Sequence, residues 1–170
     1  VVIAQSASAY GYKGSRLYGC EVWINTRVPV CFADGIPVFV KFRDVSVMFS
    51  SPRCLIVLVR TRHMMFAIIS AHAPHSSGDT CSRWWDEFDK HLVRIRSVTD
   101  TIIACVDANS TFPTYSKHSF HGQVGRRAQP SSNHQTVSSH LVASGLVAVS
   151  TFDQWCCDQF CDQPYTYTHK

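Results

Sequence analysis

The sequence predicts a β-rich α+β sandwich. Short apolar runs bounded by turn signals recur along most of the chain, and the apolar period lengthens to three or four residues in only two stretches. The second observation is length: 170 residues suffice for one domain with its own core. No repeat, low-complexity tract or linker divides residues 1–170, so a single domain is expected.

Taken in order, residues 1–4 (VVIA) read as a buried strand and residues 19–25 (GCEVWIN) as an alternating one. Residues 37–42 and 45–49 read as a hairpin pair. Residues 54–60 (CLIVLVR) and 65–72 (MFAIISAH) are longer β-rich runs bounded by Pro52-Arg53 and Pro74. The polar Thr61-Arg62-His63 between them suits an antiparallel turn. From Ser82 the period changes: Trp85, Phe88, His91, Leu92 and Ile95 fall at helical steps. Ser82 is the expected N-cap, with Asp86 and Glu87 early and Lys90, Arg94 and Arg96 late, as the helix dipole favours. At that spacing Trp85 and Phe88 are core residues rather than base-stacking platforms. Residues 101–106 (TIIACV) read as a continuous buried strand ending at Asp107, and residues 111–132 as a loop. Residues 137–144 are a second, Ser-rich helix closed by Gly145, and residues 146–152 a last strand.

Hydrophobic residues make up 45% of the chain, which excludes a disordered composition. No apolar run reaches the roughly 18 residues that a membrane-crossing helix needs. No basic n-region precedes an apolar stretch at the start, so no signal peptide is expected. Sixteen Lys and Arg against twelve Asp and Glu give a formal charge of +4, which suits a polyanionic partner such as nucleic acid without identifying one. The eight cysteines are too sparse for a small disulfide scaffold, so reduced thiols and an intracellular setting are expected. Cys156, Cys157 and Cys161 with His169 offer a zinc set, though without the usual paired Cys-x-x-Cys spacing.

Two strand ends carry the chemistry. Asp107 and Asn109 stand at i and i+2 where the 101–106 run meets a loop, so on an extended segment they face one side together. A carboxylate there can bind a cation or activate water, and an amide can donate to a phosphate oxygen. The same pair also serves as an ordinary turn cap. His72 ends the 65–72 run before Pro74, where it can act as a general acid or hold a phosphoryl oxygen, or can be one loop histidine among nine.

Together these segments resemble the endonuclease/exonuclease/phosphatase superfamily, and most of all its retroelement-type endonuclease domains. Val106-Asp107-Ala108-Asn109-Ser110 resembles the family's Gly-Asp-Phe-Asn-Ala strand end. Ser70-Ala71-His72-Ala73-Pro74 resembles the strand that ends in Tyr or His near a proline. Residues 2–6 are similar to the strand ending in Gln-Glu, and residues 19–24 to the glycine-led strand after it. Asn133 with Leu141 and Gly145-Leu146, and Tyr165-Thr166-Tyr167-Thr168, resemble the Asn-Gly, Gly-Leu and Thr-Trp-Thr segments of retroelement-like members. The matches are short but run in order along nearly the whole chain.

The resemblance implies a four-layer α/β/β/α sandwich of two mostly antiparallel sheets. It implies metal-dependent phosphodiester hydrolysis, with DNA as substrate and magnesium as cofactor. It gives Asp107 the attacking water, Asn109 the scissile phosphate and His72 the phosphoryl group, with Asn133 and Thr166 in support. The chain departs from the pattern at Ser6, which stands where the metal-binding Glu is expected; a neutral hydroxyl does not replace a hard anionic ligand. The family's first Asn-bearing strand would precede residue 1 and its closing Ser-Asp-His strand would follow residue 170, so a copy truncated at both ends is expected. Such a copy would be marginally stable and nearly inactive, because catalytic groups that act as a unit lose rate non-additively. Two other functions remain open on the same fold: a non-catalytic binding or scaffold remnant, and a phosphatase acting on small phosphoesters. Substrate preference and oligomeric state leave no trace in the sequence.

Overall fold

The computed structural model describes residues 1–5, 9–10, 16–75, 78–110 and 132–147, and among them ten strands, two α-helices and one short 3-10 turn at Phe42–Asp44. The strands are β1 (Val2–Gln5), β2 (Ala9–Tyr10), β3 (Arg16–Tyr18), β4 (Glu21–Ile24), β5 (Cys31–Ala33), β6 (Ile36–Val38), β7 (Val45–Ser51), β8 (Cys54–Arg60), β9 (Met65–His72) and β10 (Ile102–Asp107). The helices are α1 (Asp79–Arg96) and α2 (His134–Ser144). The class is α+β, as the sequence predicts. The chain forms two compact units, Val1–Ala73 with His91–Ala108, and Pro74–Lys90 with Asn109–Lys170. No described helix is long and apolar enough to cross a membrane.

The first unit is built on a four-stranded sheet in the order β10-β9-β8-β7. β8 is apolar at six successive positions because it is central: Cys54 through Val59 are all buried. Alternation then divides its side chains between two faces. Leu55, Val57 and Val59 pack with Phe66 of β9 and with Val2, Val22 and Ile24 from the antiparallel β1–β4 pair. Ile56 lies on the other face. Its cross-strand partner Phe49 stacks on His91 of α1, with ring centroids 3.8 Å apart, so α1 covers that side. A bulge between Val47 and Phe49 in β7 turns Phe49 toward the helix while Val47 stays exposed. Leu92 and Ile95 of α1 are buried as the helical period requires. Within this unit the four-stranded sheet therefore meets the β1–β4 pair on one face and the His91–Arg96 end of α1 on the other.

Several boundaries differ from the sequence reading. Residues 37–42 do not pair with 45–49. β6 pairs with β5 instead, and β7 pairs with β8. The cause is the Asp34-Gly35 turn, whose residues have φ of 51° and 77°, the left-handed pair that closes a two-residue hairpin. Helix α1 begins at Asp79, three residues before the expected cap, and the Ser82 amide already bonds the Gly78 carbonyl at 3.1 Å. Residues 101–106 are not continuously buried. Among the described residues β10 is the edge of its sheet, and its burial alternates, with Ile103 51% exposed.

In the second unit α2 begins at His134, three residues earlier than its apolar pattern predicts. Gly145 closes it in the left-handed conformation at φ 62°, where its amide bonds Val142 O and the Leu146 amide bonds Leu141 O. Trp85 and Phe88 are core residues, 2% and 3% exposed, packed edge to face. His140 of α2 stacks on Trp85, its Nδ1 meets the Asp89 carboxylate, and its Nε2 lies 3.9 Å from Asp86. The expected 146–152 strand falls mostly outside the described residues, and Leu146 and Val147 are not in a strand.

Candidate functional site at the end of a parallel strand pair

β9 and β10 run parallel, and their register pairs Asp107 with His72 at the C-terminal ends. Register partners in parallel strands project to the same face. On β9 that face also carries Phe66 and Ile68, which pack toward the β1–β4 pair. On β10 it carries Ile103 and Cys105, both exposed. Asp107 thus stands at the strand-end rim, its side chain 63% exposed, with the half-buried His72 beside it. His72 Nε2 lies 3.7 Å from Asp107 Oδ2, an ion-pair contact rather than a hydrogen bond.

The backbone fixes this arrangement. The Ala73 amide donates to the Asp107 carbonyl at 2.8 Å and extends the parallel ladder one residue past β9. The His72 amide donates to the Arg53 carbonyl at 2.9 Å. Arg53 answers with its side chain, Nη1 donating to the carbonyls of His72 (3.3 Å) and Ala73 (3.4 Å). Arg53 is the rim residue that sequence reasoning missed, since it served there only to mark the turn before β8. Its signal was a lone cation in a β-turn, and the contact spans 19 residues, beyond any local pattern.

Asn109 belongs to the second unit. It holds φ 46°, a left-handed conformation that Asn tolerates better than most residues. Asn133, only 3% exposed, donates from Nδ2 to the Asn109 carbonyl at 2.8 Å. Asn133 is also the N-cap residue of α2, yet its side chain makes no cap hydrogen bond. It secures the loop after β10 instead of the first turn of its own helix.

The structure therefore brings His72 and Asp107 together in the first unit, and Asn109 and Asn133 together in the second. Ser6, Thr166, and the cluster of Cys156, Cys157, Cys161 and His169 lie outside the described residues. Cys31, Cys54, Cys81 and Cys105 are free thiols. Burial, and after it the neighbouring Cys20, pushes the Cys54 thiol up to about 12.

Magnesium takes near-octahedral oxygen ligands, with one or two carboxylates completed by water and phosphate. Among the described residues no three His, Cys, Asp or Glu side chains converge as a metal would require. Among the described residues the rim offers the Asp107 carboxylate beside the His72 imidazole. Glu21, in register with Gln5, alternates with the buried Val22 and so lies on the outer face of its sheet, where it accepts a 2.8 Å bond from Trp23 Nε1. These residues do not by themselves fit a magnesium ion.

No family model and no curated protein matches the sequence. Among solved structures the chain is similar to the endonuclease domain of TRAS1, a telomere-specific non-LTR retrotransposon, at 13% identity and a TM-score of 0.48. The match covers 84% of this chain and 52% of that one, so the chain spans about half the length of the structure it matches.

Proposed function

We propose that the chain carries an endonuclease-type phosphodiester site, with nucleic acid as its substrate and with hydrolysis impaired by Ser6 in place of the expected metal-binding carboxylate. The observation that supports this reading is the in-register placement of Asp107 against His72 at one strand-end rim, 3.7 Å apart. In this reading Asp107 takes a proton from the attacking water as its oxygen bonds phosphorus and the bridging P–O bond breaks. His72, when protonated, stabilises the charge on the phosphoryl oxygens and supplies the proton that the leaving oxygen needs. Asn109, two residues further along the chain, contributes a neutral amide donor.

A second reading, a binding domain that has lost hydrolysis, is favoured by Ser6 at the position of the family's metal ligand. One experiment separates the two. Conversion of supercoiled plasmid to nicked circles is followed with and without magnesium for the native chain, Ser6→Glu, and Ser6→Glu with Asp107→Ala. Binding to the same DNA is measured in parallel. The expected result is slow or undetectable nicking by the native chain and a gain of about tenfold or more with Ser6→Glu, lost again with Asp107→Ala. Nicking that survives Asp107→Ala would refute the catalytic reading. DNA binding without nicking in every variant would establish the second reading, and release of phosphate from small phosphoesters would replace the substrate.

A further inference from the structure

We propose that His140 is a pH-sensitive latch: its imidazolium ties α2 to residues 79–90 of α1, and through α2 it holds the backbone of Asn109 in place. This regulation is independent of the phosphodiester reading. Both helical segments and Asn109 belong to the second unit. Three contacts meet at one ring. His140 Nδ1 meets the Asp89 carboxylate, Nε2 lies 3.9 Å from Asp86 Oδ1, and the ring stacks on buried Trp85 with centroids 5.7 Å apart. A neutral imidazole carries one N–H, so with both nitrogens facing carboxylates it presents a lone pair to one of them. Only the imidazolium donates on both sides. The indole face against the ring favours a cation as well.

The surroundings make the charge of the ring matter. The His140 side chain is only 16% exposed, and Asp89 Oδ1 is buried with no hydrogen-bond partner. A carboxylate so placed is costly unless a cation opposes it. Asp86 and Asp89 are the charged groups that face the ring from α1, and the other titratable side chain of α2, His134, stands at the first residue of that helix. Beyond the latch α2 has few holds, since Val137 and Ser144 are the residues it buries. Its N-cap residue Asn133 donates to the Asn109 carbonyl at 2.8 Å, so loosening at His140 reaches that loop along one helix. Histidine side chains change charge between about pH 5 and 8. In that window the latch is complete at the acid end, where the ring is protonated, and is lost as the pH rises and the ring gives up its proton.

The ordinary alternative is a neutral histidine that packs between the helices and is held by Asp89 alone. Amide hydrogen exchange across α2 and at residue 109 distinguishes the two. It is measured on the intact chain between about pH 5 and 8, corrected for the intrinsic pH dependence of exchange, for native protein, His140→Gln and Asp86→Asn. Native protection is expected to fall with rising pH at both places, by up to about tenfold per pH unit for one linked proton. His140→Gln removes the titrating ring and is expected to lose that slope. Asp86 is mostly exposed, so Asp86→Asn leaves the packing intact, and its amide can donate to a neutral ring or accept from a charged one. Its profile is therefore expected to be shallower than the native one. A native profile without slope, or a slope that His140→Gln shares, would overturn the proposal. Should His140→Gln leave α2 unprotected at every pH, Asp86→Asn decides: a profile as steep as the native one would overturn the latch, and a shallower one would support it. A response in α2 that residue 109 does not share would overturn the link to the loop.

Discussion

Replacing Asp107 with alanine tests whether the rim serves chemistry or stability, because the structure sets a low ceiling on the second. The carboxylate meets His72 at 3.7 Å, and the two side chains are 63% and 33% exposed. Coulomb's law at that distance in water gives about 1 kcal/mol. Screening at physiological salt, with a Debye length of about 8 Å, lowers it further. Exposed ion pairs measured in other proteins fall at about 0–1 kcal/mol, in agreement. The strand pairing does not depend on this side chain, since the Ala73 bond is to the Asp107 backbone carbonyl. Asp107→Ala and His72→Gln are therefore each expected to move the melting temperature by less than about 4 °C in circular-dichroism melts. Within the Ser6→Glu background, plasmid nicking is expected to fall by about a hundredfold or more in Asp107→Ala, the range for loss of a general base. A destabilisation above about 3 kcal/mol with nicking preserved would show that Asp107 holds the fold and does not serve catalysis.

Other expectations follow from single contacts. Leu55, fully buried on β8, should cost about 2–5 kcal/mol when cut to alanine, read by urea unfolding. At Asn109, with φ 46°, alanine should be less stable than glycine by about 1 kcal/mol or more in the same assay, because only the glycine lacks a Cβ penalty. Asn133→Asp keeps the shape but removes the donor to the Asn109 carbonyl, so it should cost about 1–3 kcal/mol and raise hydrogen exchange around residue 109. Cys105, exposed, should react with a thiol reagent in the native state, while Cys20, Cys54 and Cys81 should wait for unfolding. The Cys54 thiol also makes the fold alkali-sensitive. The unfolded chain gives up this proton near 9.0 and the folded chain only near 12, so the unfolded state binds fewer protons between them. Cys54's contribution is thus full below pH 9.0 and is lost as the pH climbs toward 12, which a pH series of urea midpoints would register.

Much of the first unit was legible in the sequence. β8 and β9 announce themselves because a central strand is apolar on both faces; His72 stands where the β9 run stops, and Asp107 where the β10 run stops. The helical repeat of Trp85, Phe88, Leu92 and Ile95 gave away the buried side of α1. β10 misled because its apolar composition matches that of a covered strand, whereas exposure depends on which neighbours the fold supplies. The 37–42 segment misled because the turn that decides its partner lies before it, at Asp34-Gly35. Arg53 and Asn133 were illegible as rim and loop supports for one reason. Their contacts join residues 19 and 24 positions apart, and no periodicity encodes them.

The parallel pairing of β9 with β10 also orders the events of folding. β8 and β9 are joined by a short turn, which Thr61 and Met64 close with a 2.9 Å bond, and hairpins of this kind form within about 1–10 μs. β10 can add to β9 only after the chain has passed through all of α1, and such non-local closure is slow by comparison. His72 therefore waits on a nascent, unprotected strand edge until Asp107 arrives. A ribosome paused within α1 would hold out a chain whose β9 backbone is open to pairing with a stranger.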